Sequence, residues 1–207
     1  MVFSVTRAND VLKALRFAEE FKLRAIIEGG TEAWKVAEQL KKAGVPVIVS
    51  LNFRPAPAGG GGFGGFGPQQ QEDPEEQRRR EEEAQRNAAE LVKAGVKVAF
   101  SSTGLNSYFE FVQNARRAAE PMGKEKALEA LTIRAAEILG VERSLGSIEP
   151  GKIANLIVAT GSPLEQGTQL KYVFVDGERV KFRVPEPPRG AGRGPRPEPA
   201  EQQEDLP

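Results

Sequence analysis

Four short apolar runs decide most of what this chain can become. They are Val2 to Val5, Leu23 to Ile27, Val45 to Leu51 (VPVIVSL) and Val96 to Phe100 (VKVAF). Each is nearly continuous in apolar residues rather than alternating, which is the pattern of strands buried on both faces. Helical spacing follows each of the first two. Val11, Leu12, Leu15, Ala18 and Phe21 form one apolar stripe, with Asn9 placed to cap its start. Trp34, Val36, Ala37 and Leu40 form the next, with Thr31 as its cap and Gly44 at its end. Strand and helix alternate at a spacing of about 20–25 residues, the rhythm of a parallel α/β sheet or barrel.

Residues 54–87 break this rhythm. The segment RPAPAGGGGFGGFGPQQQEDP is of low complexity and reads as a flexible, solvated surface loop, or else as a lid or partner-binding loop that docks through Phe63 and Phe66. The charged stretch after it extends the helix that carries Ala88, Ala89, Leu91 and Val92 and ends at Gly95. Beyond the fourth strand come a helix with Tyr108, Phe109, Phe111 and Val112, and a second helix from Lys124 to Leu139 that Gly140 ends. The period then shortens. Leu145 to Ile148, Ala154 to Ala159 and Leu170 to Val175 read as strands, and Asp176-Gly177 as a hairpin turn. From Val184 the chain is rich in Pro, Gly and charge, the composition of a disordered tail.

Several functions are excluded by composition. The 207 residues contain no histidine and no cysteine, so histidine bases, Ser-His-Asp triads, thiolate sites and disulfides are all absent. Lys+Arg and Asp+Glu balance at 29 each, which gives no pull toward nucleic acid or an anionic membrane. No apolar run is long enough to span a bilayer. The N-terminus turns polar too soon for a signal peptide, so the default compartment is the cytoplasm.

Chemistry in an α/β protein collects at the C-terminal ends of the strands. Glu28, at the end of the second strand, is the best isolated acid there. It is a candidate general base, or else a partner of Arg7 or of a backbone amide. Gly29-Gly30 makes a tight turn or a weak phosphate cradle. Ser101, Ser102 and Thr103 place hydroxyls after the fourth strand, either lining a polar pocket or satisfying turn backbone. With Ser4, Thr6, Arg7, Thr31 and Asn52 these residues form a mouth suited to a small polar ligand. No metal ligand set is evident, and no cofactor is expected.

From Ala127 on, the chain reads ALEALTIRAAEILGVERSLGSIEPGKIANLIVATGSPLEQGTQLKYVFVDGERV. This resembles the C-terminal end of the amidohydrolase superfamily, in its imidazolonepropionase-like group. The pattern there is a helix ALxALTxxPAxxLG, a strand pair LGSIEPGKxADLVV and a hairpin VFVDGxxV. Arg134-Ala135 and Asn155 depart from it. Upstream, residues 2–53 and AAELVKAGVKVAFSSTG are similar to strands five to eight of the same barrel. The resemblance implies an α/β fold: the C-terminal half of a (β/α)8 TIM-type barrel over 1–144, part of a small β-sandwich over 145–183, and a tail over 184–207. Active relatives hydrolyse carbon–nitrogen bonds with divalent metal, commonly zinc, and are often exported. The positions of the family's metal ligands on strands five, six and eight fall at Ser4, Gly29 and Thr103, and its strand-one histidines lie outside this chain. The resemblance therefore implies a hydrolase relative with an impaired metal site, or a fragment, with non-catalytic ligand binding as the alternative. A half-barrel exposes two sheet edges and an apolar face, so the expected partner is an N-terminal half-barrel or a second copy; because the chain begins inside a strand, truncation of a longer chain is the favoured alternative.

Overall fold

The computed structural model describes residues 1–53 and 73–182. What was expected of the glycine-rich insertion, Phe63 and Phe66 included, and of the tail lies outside these residues.

The four apolar runs form one sheet of parallel strands: β1 (Val2–Val5), β2 (Ile26–Gly29), β3 (Val47–Ser50) and β4 (Val98–Ser101), in that spatial order. β2 starts later than its apolar run because the Leu23 amide still bonds back to the Ala18 carbonyl, at 2.8 Å. The register puts Phe3, Ile27, Val47 and Val98 in one row and Ser4, Glu28, Ile48 and Ala99 in the next. Successive residues point to opposite faces. The first row packs under the helices in a core that also holds Val49, Val11, Leu40 and Leu91. Ile27, Val47, Leu40 and Leu91 are fully buried, each contributing about 1.5–3 kcal/mol from apolar burial. The second row lies on the other face, and its upper members are polar.

The helices are α1 (Ala8–Glu20), α2 (Ala37–Ala43), α3 (Pro74–Lys93), α4 (Tyr108–Met122), α5 (Lys124–Leu131) and α6 (Ile133–Leu139). α3 begins where the charged stretch begins, with Asp73 accepting from the Glu75 amide and Pro74 in the first turn. Two expected caps are replaced. Asn9 lies inside α1, and the Ala8 amide is satisfied instead by Glu32 Oε2 at 3.0 Å. Thr31 caps nothing; a 3-10 turn (Ala33–Val36) precedes α2. Gly44 (φ 65°) and Gly140 (φ 76°) end α2 and α6 as expected.

The helix expected over Lys124 to Leu139 is broken at Thr132 (φ −129°, ψ −97°), whose hydroxyl bonds back to the Leu128 carbonyl at 2.7 Å. Leu145 to Ile148 is not a strand. The Leu145 amide closes a turn onto the Val141 carbonyl, and Gly146 (φ 95°) lies so close to α6 that a Cβ there would sit 2.7 Å from Ala136 Cβ. Phe21, expected in the apolar stripe of α1, is 55% exposed.

A second, antiparallel sheet holds β5 (Leu156–Ala159), β6 (Leu170–Val175) and β7 (Glu178–Val180). Its hairpin turns at Asp176 (φ 53°) and Gly177 (φ 85°), the paired positive φ of the expected tight turn. Asn155 accepts the Asp176 amide at 2.8 Å and so holds the turn. Among the described residues no helix is long and apolar enough to cross a membrane.

Candidate functional site

Polar side chains collect on that second face where β1 to β4 end. Ser4 is the register partner of Glu28, and Ser50 that of Ser101. Ser101 is the hub. Its Oγ lies 2.7 Å from Thr103 Oγ1, accepts the Thr103 amide at 3.1 Å, and reaches Glu28 Oε1 at 3.4 Å. Ser50 Oγ donates to the Thr103 carbonyl at 3.0 Å and accepts the Asn52 amide at 3.2 Å. Asn52 packs against Gly104, where a Cβ would meet its Nδ2 at 2.7 Å. Glu28, Ser101, Thr103 and Asn52 are therefore brought together, with Ser50 joining them. The backbone role weighed for the turn hydroxyls is present in these bonds.

Of the remaining residues, Ser4 neighbours Glu28 in the register and the others stand apart. Ser4, Thr6 and Ser102 are exposed, and Thr31 is half-buried in the β2 turn. The Thr6 carbonyl accepts the Glu32 amide at 3.1 Å. Arg7 flanks α1 with no bond to Glu28; its charge acts on Glu32 instead. That carboxyl is held below its usual range, first by the Ala8 amide and then by Lys35 and Arg7.

Two positions escaped sequence reasoning. Glu32 ties the β2 turn to the start of α1. Asn87, 1% exposed, donates to the Gly30 carbonyl at 2.9 Å and accepts the Trp34 amide at 3.0 Å. The signal for Asn87 was one amide at the seam between the charged stretch and AAELV, with nothing to name its target. Ser50 escaped it as well, though its signal was present as the polar end of VPVIVS.

The donor set does not suit a catalytic divalent metal, which takes about three strong protein ligands. Glu28 is the one carboxylate in this cluster, and the rest are hydroxyls and an amide. Gly29 offers no donor, and at φ 92° a Cβ there would lie 2.9 Å from the Val5 carbonyl oxygen. Among the described residues no three His, Cys, Asp or Glu side chains gather for a metal. The Ser101 hydroxyl donates to Glu28 Oε1 over a long 3.4 Å.

A profile of the amidohydrolase family matches residues 12–180, from within α1 through β2 to β7. This chain belongs to the amidohydrolase family. Among solved structures, this chain is similar to an amidohydrolase from Thermotoga maritima MSB8 at 31% identity and a TM-score of 0.70, over 88% of this chain and 43% of that one. A prolidase solved with N-methylphosphonate-L-proline is 26% identical, TM-score 0.65, over 88% and 45%. An Xaa-Pro dipeptidase with bound methionine, at 20% identity and TM-score 0.56, shares the fold over 87% and 54%. A search of curated proteins returned no match. The chain thus spans under half the length of the first two relatives, and the sheet of β1 to β4 is a partial TIM barrel.

Proposed function

We propose that this amidohydrolase-family chain binds a small polar ligand at its strand ends and does not carry out the metal-dependent hydrolysis of carbon–nitrogen bonds. The observation that supports this reading is the cluster itself: one carboxylate, Glu28, set among Ser50, Asn52, Ser101 and Thr103, with Gly29 beside it. Such a set offers hydrogen-bond acceptors and hydroxyl donors to a polar group, and no base positioned against a nucleophile. The prolidase relative, solved with N-methylphosphonate-L-proline, supplies the first ligand class to try, a proline dipeptide or its phosphonate analogue.

The test uses tag-free protein, since an affinity tag of histidines would itself bind zinc. Titration calorimetry with zinc and with manganese is expected to give no tight site. Hydrolysis of Xaa-Pro dipeptides and lactams is expected to stay at background, with or without chelator. N-methylphosphonate-L-proline or a dipeptide is expected to raise the melting temperature without product. Hydrolysis that disappears on chelation would overturn the proposal.

A further inference from the structure

Each hydroxyl of the strand-end cluster carries a single hydrogen, so the direction of its bond can be followed. Ser101 gives its hydrogen to Glu28 Oε1. Thr103 Oγ1, 2.7 Å from Ser101 Oγ, is then the donor of that pair. Ser50 gives its hydrogen to the Thr103 carbonyl. All three hydroxyl hydrogens are thus directed within the cluster, toward Glu28 and the turn after β4. The capacity left over is for accepting. A carboxylate accepts at about four sites, and Ser101 fills one of those on Glu28. Thr103 Oγ1 keeps its lone pairs.

Glu28 stands on an inner strand. β1 and β3 flank it, and its register partners are Ser4 and Ile48, both neutral. It is half-buried, where a charge-assisted hydrogen bond is stronger than at the surface. The groups that would favour an anion are engaged elsewhere. In a parallel sheet the helices start on the side where the strands end, and a helix start attracts negative charge. Here the Ala8 amide of α1 goes to Glu32, the Glu75 amide of α3 to Asp73 and the Glu110 amide of α4 to Ser107. The strand ends are therefore complementary to a cation that has hydrogens to donate.

From this we infer that the strand-end site recognises a primary ammonium group, the free amino end of a small ligand, and that Glu28 selects it. The inference rests on the ligand-binding reading above and names the chemistry of its ligand. An ammonium group brings three donor hydrogens. Glu28 takes one in a charge-assisted bond, and Thr103 Oγ1, joined to Glu28 through Ser101, offers a further acceptor. An acid group in the same place would meet Glu28 as a like charge, so one residue both attracts the amino end and rejects its opposite.

The experiment compares Ala-Pro with N-acetyl-Ala-Pro on the tag-free 207-residue chain, by thermal shift and calorimetry. The two peptides differ at the amino group alone. Ala-Pro is expected to bind about tenfold or more tightly than the acetylated peptide. Glu28→Gln keeps the shape of the side chain and removes its charge. It is expected to show no preference between the two, with a ligand-free melting temperature near that of the parent. Equal binding of both peptides to the parent, or a preference that survives in Glu28→Gln, would overturn the inference. The strand-end reading would still stand in that case if Ser101→Ala abolished the binding. Binding of neither peptide would overturn both.

Discussion

Asn87 on α3 donates its Nδ2 hydrogen to the Gly30 carbonyl at 2.9 Å across 57 positions of sequence, while its Oδ1 holds the Trp34 amide. One buried amide therefore fixes both sides of the β2 turn, next to Glu28 and Gly29. Asn87→Ala leaves the Trp34 amide without its acceptor and takes one of two donors from the Gly30 carbonyl, which keeps the Ala33 amide. The expected cost is about 2–3 kcal/mol, read as a lower midpoint in urea unfolding with an unchanged slope. A loss below half a kcal/mol would mean the turn is held by something else.

Glu32 caps α1 from another element, and its carboxyl is held below the usual range chiefly by the Ala8 amide. A carboxylate with a lowered folded pKa stabilises the protein above its unfolded pKa and loses that contribution as pH falls through the folded value. Glu32→Gln is therefore expected to cost about 0.5–1 kcal/mol at neutral pH, the size of one cap discounted for a side chain 39% exposed. The gap between parent and variant should close in acid. Parallel pH–stability curves for the two proteins would argue against the cap.

Gly29 sits at φ 92° with the Val5 carbonyl where a side chain would start. Gly29→Ala is expected to lower stability by about 1–3 kcal/mol through left-handed backbone strain, with the close approach to β1 adding to it. Thermal melting measures this directly, and an unchanged midpoint would show that the turn relaxes freely.

Ser101→Ala removes the hub of the hydroxyl cluster at a partly exposed position. Its stability cost is expected to stay within about 1 kcal/mol. The melting shift caused by a bound dipeptide analogue should vanish in it and in Glu28→Gln. A ligand shift that survives both changes would move the binding site away from the strand ends.

Much of the architecture was legible because its signals are local. Continuous apolar runs marked β1, β3 and β4 to within about two residues of their bounds, and a helical stripe showed α1. Asp176-Gly177 forecast its hairpin because positive φ at both central positions is a property of those two residues. The failures share the opposite cause. Asn9 and Thr31 looked like caps, yet the Ala8 amide found Glu32, 24 positions away. The break at Thr132 came from a side chain competing for a helix carbonyl, which no periodicity reveals.

The site divides in the same way. By itself the sequence determined the repertoire: no histidine, no cysteine, one acid at the end of β2, and hydroxyls after β4. Those are matters of residue identity. Tertiary structure alone decided that Ser101 bridges Glu28 and Thr103, and that Ser50 joins them. It also decided that Phe21 faces outward with its ring against Phe17. Hydrogen bonds act over about 3 Å in space, and only the register of four parallel strands sets which residues, 73 positions apart for Ser101 and Glu28, come within that reach.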